Sequence, residues 1–477
     1  MSTFPKSIFR EYDIRGLAGS ELTPQLAKKL GHAYAMLIKK RIQKDQYKIS
    51  IGRDCRLSSD DLAGALISGL TECGIHVLDL GVCPTPLTYF SIHHHDLDGG
   101  IMVTGSHNPA EYNGFKISIS KNTLHGEDIQ ELRVLIEELS SASSESIFAK
   151  KVGEISKTDI IQSYVSYLKN KFKNKRHLKV VLDAGNATAG TVAPLIFKEI
   201  GAEVIPLFCD LDGRFPNHHP DPTVPKNLSF LIDAVKKNKA DFGVGFDGDS
   251  DRIGVVDENG TVIFGDELMI LFSRNVLSHN PGATIISEVK SSYRLYEDIS
   301  KKGGHPIMWK TGHSLIKSKM KETKALLAGE MSGHIFFADR YFGYDDAIYA
   351  ALRLYEIVSN LSIPLSGHLS DIEKTVNTPE IRVDCLEDKK FLLVEETKQY
   401  LSKIDSIRLN TIDGVRSDFG DGWGLVRASN TQPVIVLRFE AKTTTRMNEI
   451  MSVVLAGLSS AAQKIGHPSL SVDAHHS

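Results

Sequence analysis

A strand–helix–strand pattern occurs three times along this chain, each time with a glycine directly after the helix. In the first copy an apolar strand over Lys48–Gly52 precedes helical periodicity over Leu62–Leu70, which is followed by Gly74 and a second strand over Ile75–Leu80. Glycine at that place is typical of a left-handed helix C-cap, and strand, helix, parallel strand is the βαβ unit. The repeat predicts three α/β domains of one plan; its other copies cover 178–207, with Gly201, and 283–309, with Gly303.

Each copy is followed by two more strands joined by a polar loop. The three loops are Thr104–Pro109, Asp247–Arg252 and Gly329–His334. Because the loops occupy equivalent places in a repeated unit, we expect them to converge on one cleft between domains.

The last part of the chain has a different pattern. Strands are predicted over 407–413, 424–427 and 434–440, and a final helix over 446–463, which indicates a smaller α+β domain. The expected domains are 1–152, 153–261, 262–373 and 374–477, and residues 467–477 are expected to form a poorly ordered tail.

Composition excludes several classes of protein. Hydrophobic content of 41% and charged content of 24% are those of a soluble globular protein. A formal net charge of −3 does not suggest a nucleic-acid or membrane-surface partner, and no apolar run approaches the ~20 residues that span a bilayer. The five cysteines are scattered and the N-terminus lacks a secretory signal, so we expect reduced thiols and a cytoplasmic location.

The loop Asp247–Arg252 places carboxylates at alternate positions, Asp247, Asp249 and Asp251. In an extended segment they would share a face, where their repulsion calls for protonation or a cation. Oxygen ligands favour Mg²⁺, Mn²⁺ or Ca²⁺. A calcium loop would need glycine in place of Arg252 and helices on both sides, and the GxGxxG over 243–248 lacks the helix of a dinucleotide site. A solvated acidic turn remains the alternative.

Ser106 lies in a tight turn between Gly105 and Pro109, with His107 and Lys116 as polar partners nearby in sequence. A serine on such a turn is either an exposed nucleophile or a structural turn residue. Beside a divalent ion, a serine is suited to carrying a phosphoryl group, whose charge the metal neutralises.

Two further loops carry polar groups in suggestive patterns. Arg427–Pro433 supplies several donors within five residues, which suits a phosphate monoester, although an ordinary polar turn has the same composition. Glu330, Ser332 and His334 alternate, so in an extended loop they would face the same way and suit sugar hydroxyls. An exposed strand edge is the alternative for that loop.

Taken together, the motifs resemble those of the α-D-phosphohexomutases, most closely the bacterial phosphomannomutase/phosphoglucomutase group. They occur in the expected order over nearly the whole chain, with one small departure in the loop 183–188, where the family often has another glycine. The matching segments are 9–16, 52–54, 104–109, 212–222, 247–252, 310–313, 329–334 and 427–431.

The resemblance implies four domains, with a C-terminal α+β domain like the TATA-box-binding-protein fold. It implies a resting phosphoserine at Ser106 and Mg²⁺ held by Asp247, Asp249, Asp251 and a phosphoryl oxygen on Ser106. Substrate-binding roles would fall to Tyr12, Lys290, His313, Glu330, Ser332, Arg427, Ser429, Asn430 and Thr431. Around the transferring phosphoryl group would lie Arg15, His107, Lys116, Arg252 and His334, with Lys116 and His334 as candidates for acid–base work.

The implied activity is interconversion of hexose 1-phosphate and hexose 6-phosphate, of mannose or glucose, through a 1,6-bisphosphate that reorients and also serves as activator. We expect phosphohexose substrates and a monomer or weak dimer. Three alternatives stay open: a phosphoglucosamine mutase, a metal-dependent phosphatase with a serine nucleophile, and a catalytically silent sugar-phosphate binder.

Overall fold

The computed structural model describes residues 4–141, 149, 151–430, 432–468 and 470. The chain folds into two compact units. The first runs to Ile285 and resumes over His313–Ser370; the second comprises Ile286–Gly312 and the residues from Asp371 onwards.

The N-terminal α/β repeat, in the first unit, is built on a mixed sheet in the order β1-β5-β4-β2-β3-β7, with β6 paired to β5. Strand β2 is parallel to β3 and β4, whereas β4 and β5 are antiparallel. The elements are β1 Ile14–Leu17, α1 Pro24–Arg41, β2 Lys48–Arg53, α2 Ser59–Glu72, β3 His76–Val82, α3 Thr85–His94, β4 Gly99–Val103, β5 Tyr112–Ile119, β6 Asn122–Thr123, α4 Glu127–Ser141 and β7 Ile155–Lys157.

The second repeat, also in the first unit, has a five-stranded sheet in the order β12-β11-β10-β8-β9. Strand β8 is parallel to both β9 and β10, and β10 is antiparallel to β11. Every residue of β10 is buried, as expected for a strand covered on both faces. The elements are α5 Ile160–Leu168, β8 Lys179–Asp183, α6 Ala193–Glu199, β9 Glu203–Leu207, α7 Ser229–Asn238, β10 Phe242–Phe246, β11 Ile253–Asp257 and β12 Val262–Ile263.

The third repeat is divided between the units, because the chain enters the second unit within β13 and leaves it after β14. In the first unit β15 and β16 form an antiparallel pair that brackets the loop 330–334. The elements are α8 Gly265–His279, β13 Thr284–Glu288, α9 Tyr293–Lys301, β14 His305–Trp309, α10 His313–Thr323, β15 Leu327–Gly329, β16 Ile335–Phe337 and α11 Ala347–Asn360.

The C-terminal part of the second unit is an antiparallel sheet in the order β17-β22-β21-β20-β19, with β18 also paired to β22. Apolar side chains of α13, among them Ile450, Val454 and Leu458, share a core with Leu437 and Phe439 of β22. The elements are β17 Val376–Asn377, β18 Ile381–Asp384, α12 Lys390–Leu401, β19 Arg408–Asn410, β20 Val415–Asp418, β21 Gly422–Ala428, β22 Val434–Ala441 and α13 Thr444–Lys464.

These elements confirm the predicted fold class of three α/β repeats and a C-terminal α+β domain. The glycines after the repeated helices adopt the expected left-handed conformation, with φ of 78° at Gly74, 88° at Gly201 and 78° at Gly303. The predicted strand 407–413 was too long, since β19 ends at Asn410. Asp413 instead accepts hydrogen bonds from Arg427 Nε and the Thr311 amide.

The structure also bears on the expectations for the cysteines, for membrane-spanning helices and for the C-terminal tail. The cysteines at 55, 73, 83, 209 and 385 are all free thiols. No described helix is long and apolar enough to cross a membrane. Most of the predicted tail, residue 469 and residues 471–477, lies outside the described residues, and the four domain boundaries stay predictions.

Candidate active site

Ser106 lies in the loop that follows β4, in a backbone conformation that non-glycine residues rarely adopt. Its φ is +50° and its side chain is buried. The hydroxyl donates to Asp247 Oδ2 at 2.9 Å and lies 3.2 Å from His107 Nδ1. Such strain persists only where the surroundings hold it, so the structure fixes this hydroxyl against the acidic loop.

Arg56 holds the serine loop from behind. Its guanidinium is buried, and Nη2 donates to the carbonyls of Ser106 and Asn108, both at 2.7 Å. Its Nη1 donates to the carbonyls of Pro109 and Tyr112, at 2.5 and 3.0 Å, and Nε donates to Asp54. All five N–H groups of the forked guanidinium therefore donate hydrogen bonds, and four of these bonds go to backbone carbonyls of one loop.

Gly105 and Asp54 complete this arrangement. A Cβ at position 105 would lie 2.5 Å from Arg56 Cζ, so only glycine fits beside the guanidinium. Asp54 accepts from the Thr104 hydroxyl at 2.8 Å and from the Gly105 amide at 3.1 Å. The short loop is thus anchored by the buried ion pair of Asp54 and Arg56, which lies some 50 residues earlier in the chain.

The acidic run is a turn and not the extended segment that its spacing predicted. Ser250 has φ of +64° and its amide donates to the Asp247 carbonyl at 3.1 Å. The amides of Asp251 and Arg252 donate to Asp247 Oδ1 at 3.0 and 3.1 Å. The turn still brings the three carboxylates together, with one oxygen from each within 4.8 Å of the others.

The three aspartates are completely buried, and the Lys116 ammonium is hydrogen-bonded to two of them. Lys116 Nζ donates to Asp249 Oδ2 at 2.6 Å and to Asp251 Oδ2 at 2.5 Å. Burial and the charges of Asp249 and Asp251 raise the pKa of Asp247 well above its ordinary value. Burial opposes the charged form of Lys116, but the two carboxylates raise its pKa well above normal. Three carboxylates therefore lie together with one hydrogen-bonded ammonium, so acidic groups outnumber basic groups in the cluster.

The donor set fits a divalent cation. Oδ1 of Asp249 and Oδ1 of Asp251 are buried and have no hydrogen-bond partner, which is costly for a carboxylate oxygen unless a cation takes that place. The ligands are all oxygens, the type that Mg²⁺ prefers. Asp247, Asp249 and Asp251 could therefore hold a metal beside the Ser106 hydroxyl.

Close backbone contacts join the acidic loop to the other two loops. A Cβ at Gly248 would lie 2.3 Å from the Ser106 carbonyl oxygen. Gly333 has φ of +85°, and a Cβ there would lie 2.3 Å from the Ile253 carbonyl. The Ile253 amide donates to the Gly333 carbonyl at 3.1 Å. These contacts confirm that the three loops converge, and a cleft between domains at this place stays a prediction.

The third loop also turns, contrary to the extended form expected from its alternating polar residues. The Glu330 amide donates to the His334 carbonyl at 2.9 Å and the Gly333 amide to the Glu330 carbonyl at 3.0 Å. Glu330 and Ser332 nevertheless stay together, since the Ser332 hydroxyl donates to Glu330 Oε2 at 3.3 Å. The tight turn explains why glycine stands at position 333.

His334 is held between a cation and a buried carboxylate. Arg252 Nε donates to His334 Nε2 at 3.0 Å, so Nε2 is an acceptor and the neutral ring carries its proton on Nδ1. That Nδ1 lies 3.1 Å from Asp345 Oδ2, and Lys317 Nζ donates to Asp345 Oδ1 at 3.1 Å. Burial would raise the pKa of Asp345, but Lys317 and the neighbouring histidines hold it well below its ordinary value.

The remaining predicted residues of the first unit line the same region. Arg15, on β1, donates to Asn108 Oδ1 at 2.9 Å, to the Gly105 carbonyl and to Asp13. His313 begins α10; its ring contacts that of His334 at 5.6 Å and that of Tyr12 at 5.9 Å between centroids. Burial, with the charges of Arg252 and Arg15 at His107 and of Lys317 at His313, lowers the pKa of both histidines well below normal.

The predicted phosphate-binding residues and Lys290 belong to the second unit. Lys290 Nζ donates to Glu380 Oε2 at 3.1 Å and lies 3.5 Å from Glu288 Oε1. Arg427, the last residue but one of β21, donates from Nε to Asp413 at 2.7 Å, and the Ser429 amide donates to the Val434 carbonyl. Asn430 follows in the same loop, and Thr431 lies outside the described residues.

Residues that the motifs did not indicate support Lys290 from the sheet of the second unit. Arg438 Nη1 donates to the Lys290 carbonyl, and Arg416 Nη1 donates to the Val289 and Ser291 carbonyls, at 2.5 and 2.7 Å. Arg416 also stacks on Trp423, with Cζ 3.6 Å from the ring centroid. Like Arg56, Asp345 and Lys317 in the first unit, these side chains act over long sequence separations, where no local pattern marks them.

Comparison with known proteins agrees with the fold. Residues 6–143, 162–260 and 264–375 match the models of phosphoglucomutase/phosphomannomutase alpha/beta/alpha domains I, II and III, and residues 380–456 match that of the C-terminal domain. Phosphomannomutase/phosphoglucomutase of Pseudomonas aeruginosa is 47% identical over 451 residues, which cover 94% of this chain and 95% of that protein.

Two further relatives extend the likeness. Phosphoglucomutase of Neisseria meningitidis is 44% identical over 95% of this chain and 96% of its own length. A crystal structure of a phosphoglucomutase/phosphomannomutase family protein from Burkholderia thailandensis superposes with a TM-score of 0.90 at 40% identity, covering 98% of this chain and 99% of that one. With the fold, the converging loops and these matches in hand, the chain belongs to the phosphoglucomutase/phosphomannomutase family, the α-D-phosphohexomutases.

Proposed function

We propose that this protein interconverts the 1-phosphate and 6-phosphate of mannose, glucose or both, through a phosphoserine at Ser106 and a hexose 1,6-bisphosphate. The observation that carries the proposal is the Ser106 hydroxyl, held at positive φ and 2.9 Å from Asp247 within a buried carboxylate cluster. Relatives named phosphomannomutase/phosphoglucomutase and phosphoglucomutase support the same reaction.

The two half-reactions balance around Ser106 Oγ. In the first, the bond from Oγ to phosphorus breaks, a bond to the 6-oxygen of a hexose 1-phosphate forms, and the hydroxyl proton leaves the sugar while Oγ gains one. The bisphosphate then reorients. In the second, the bond from O1 to phosphorus breaks and the bond from phosphorus to Oγ forms again. Oγ loses its proton, and O1 gains one.

Protein side chains supply the proton transfers and the charge balance. We propose His334 and Lys116 for acid–base work, because His334 presents an accepting Nε2 and Lys116 is the ammonium nearest the acidic cluster. Arg15, His107 and Arg252 would stabilise charge on the transferring oxygens. When bound by Asp247, Asp249 and Asp251, Mg²⁺ would neutralise phosphoryl charge, and hexose 1,6-bisphosphate would serve as the activator that phosphorylates Ser106.

We propose substrate-positioning roles for further residues. Arg427, Ser429, Asn430 and Thr431 would hold the phosphate that does not react. Glu330 and Ser332 would accept and donate hydrogen bonds to sugar hydroxyls, and the proposed sugar contacts also include Tyr12, Lys290 and His313. A monomer or weak dimer in the cytoplasm stays our prediction.

The test is a turnover assay followed by ³¹P NMR. Glucose 1-phosphate or mannose 1-phosphate is incubated with the enzyme, Mg²⁺ and a trace of glucose 1,6-bisphosphate. We expect the 6-phosphate from wild type and from the control Ser68→Ala on α2, and no sustained turnover from Ser106→Ala. Accumulation of free phosphate would instead identify a phosphatase, and preference for glucosamine 6-phosphate would identify a phosphoglucosamine mutase.

A further inference from the structure

A cavity lies in the first unit, apart from the three converging loops. Its volume is about 440 Å³, within the range of small-molecule sites. It is lined by the end of α3, the β5–β6 turn, one face of α10 and the segment 342–344. None of Ser106, Asp247 or Glu330 is among its lining residues.

Two lysines give this cavity a positive charge that the described carboxylates compensate only weakly. Lys321 Nζ donates to the Lys121 carbonyl and to Asn122 Oδ1, and no described carboxylate forms an ion pair with it. Among the described residues, the one carboxylate that pairs with Lys121 is Asp96, which is almost fully exposed and lies at 3.8 Å. Burial and the charges of Lys317 and Lys121 lower the pKa of Lys321.

His93, which also lines the cavity, is affected by the positive charge of the same two lysines. Burial, with the charges of Lys121 and Lys321, lowers the pKa of His93 to about 4. The ring stays neutral at physiological pH, so it can donate a hydrogen bond to a ligand without adding to the repulsion.

The other cations of the cavity are already paired. Arg41 donates to Asp128 and Glu131, both at 2.7 Å, and Lys317 is bound to Asp345. The imbalance therefore comes from Lys121 and Lys321 alone. Lys321, with no carboxylate partner among the described residues, and Lys121, with an exposed one at 3.8 Å, match the two charges of a phosphate monoester.

The rest of the lining suits a ligand with hydroxyl groups. Ser118, Ser120, Thr123, Ser314 and Ser318 contribute to the wall, and each hydroxyl can both donate and accept. We propose that this cavity binds a small phosphorylated polyol, with the phosphate between Lys121 and Lys321, at a site distinct from that of Ser106. Lys317 lines the cavity and also donates to Asp345, which pairs with His334. A bound molecule would therefore lie one side chain away from the pair of Asp345 and His334.

The experiment uses the full-length enzyme with Ile δ1-methyl groups labelled for NMR and glycerol 2-phosphate as the probe. Ile92 and Ile119 line the cavity, whereas Ile253 reports on the converging loops through Gly333. We expect saturable shifts of the Ile92 and Ile119 methyl signals. Lys121→Gln and Lys321→Gln should each weaken binding about tenfold, as the loss of one charged hydrogen bond requires.

The matched control is Lys324→Gln, which removes the same charge just beyond the same helix without touching the cavity. It should leave the binding curve unchanged. Equal shifts produced by NaCl at matched ionic strength, shifts confined to Ile253, or curves unaffected in both cavity variants would each overturn the proposal. Both lysines are exposed enough that their replacement should not disturb folding.

Discussion

Replacing Arg56 by lysine tests whether the serine loop is held by the guanidinium fork rather than by charge alone. The fork makes five hydrogen bonds, four of them to the carbonyls of residues 106, 108, 109 and 112. A lysine ammonium has three N–H groups, so at least two bonds are lost. At about 1.5–3 kcal/mol for each bond from a charged donor, and allowing for partial relaxation, the loop should open about 3 kcal/mol more easily.

Hydrogen exchange with mass spectrometry measures that opening directly. A change of about 3 kcal/mol corresponds to roughly 100-fold faster exchange of amides in the segment 104–112. Activity should fall as well, because a hydroxyl displaced by about 1 Å can lose ~10²-fold in rate. Arg53→Lys is the control, since Arg53 pairs with Asp60 and Asp79 and not with the loop.

The reasoning would be refuted if Arg56→Lys left exchange of 104–112 at the wild-type rate. It would also fail if the Arg53 variant exposed the same segment equally, because the effect would then come from the strand and not from the fork. Faster exchange in the Arg56 variant alone, with the rest of the first unit unchanged, is the expected result.

Two further predictions concern the converging loops and a neighbouring ion pair. Gly248→Ala places a Cβ 2.3 Å from the Ser106 carbonyl, so the two loops must separate by about 1 Å to reach an ordinary 3.4 Å contact; kcat/KM should fall about 100-fold with an unchanged circular dichroism spectrum, and a variant with wild-type activity would contradict the close approach. Burial opposes the charged form of His218, but its hydrogen bonds to Asp183 raise its pKa above 6.5, so the pair stabilises the fold fully below pH 6.5 and loses that contribution as the pH rises through the raised value. His218→Asn should therefore lower the apparent melting temperature more at pH 6 than at pH 9, and an equal loss at both would show that the pair does not titrate as described.

The repeated pattern was enough to predict the three α/β domains, because strand and helix periodicity are local properties of sequence. Gly74, Gly201 and Gly303 marked the helix ends for the same reason. The strand 407–413 was overestimated because Asp413 leaves the sheet to bind Arg427 and Thr311, contacts that depend on the tertiary fold.

In the candidate site, too, local sequence features were predictable and contacts that depend on the tertiary fold were not. The aspartates stood out because repulsion among neighbouring carboxylates can be inferred from spacing alone, and Ser106 because its loop occupies the equivalent place in the repeat. Their geometry could not, since both the acidic loop and the loop 330–334 proved to be turns set by Ser250 and Gly333. Arg56 and Asp345 were missed because each contacts residues far away in sequence. The one available signal for Arg56 was Gly105, where a side chain would clash with the guanidinium.

The central claim is that Ser106 carries the transferred phosphoryl group, and mass spectrometry after a single turnover tests it most directly. The enzyme is incubated with Mg²⁺ and glucose 1,6-bisphosphate, digested, and its phosphopeptides sequenced; the labelled enzyme is then mixed with glucose 1-phosphate. We predict one phosphate, on Ser106, which is lost to the sugar in the second step and never gained by Ser106→Ala. Phosphate on another residue, or a labelled Ser106 that does not pass its phosphate to the sugar, would contradict the account.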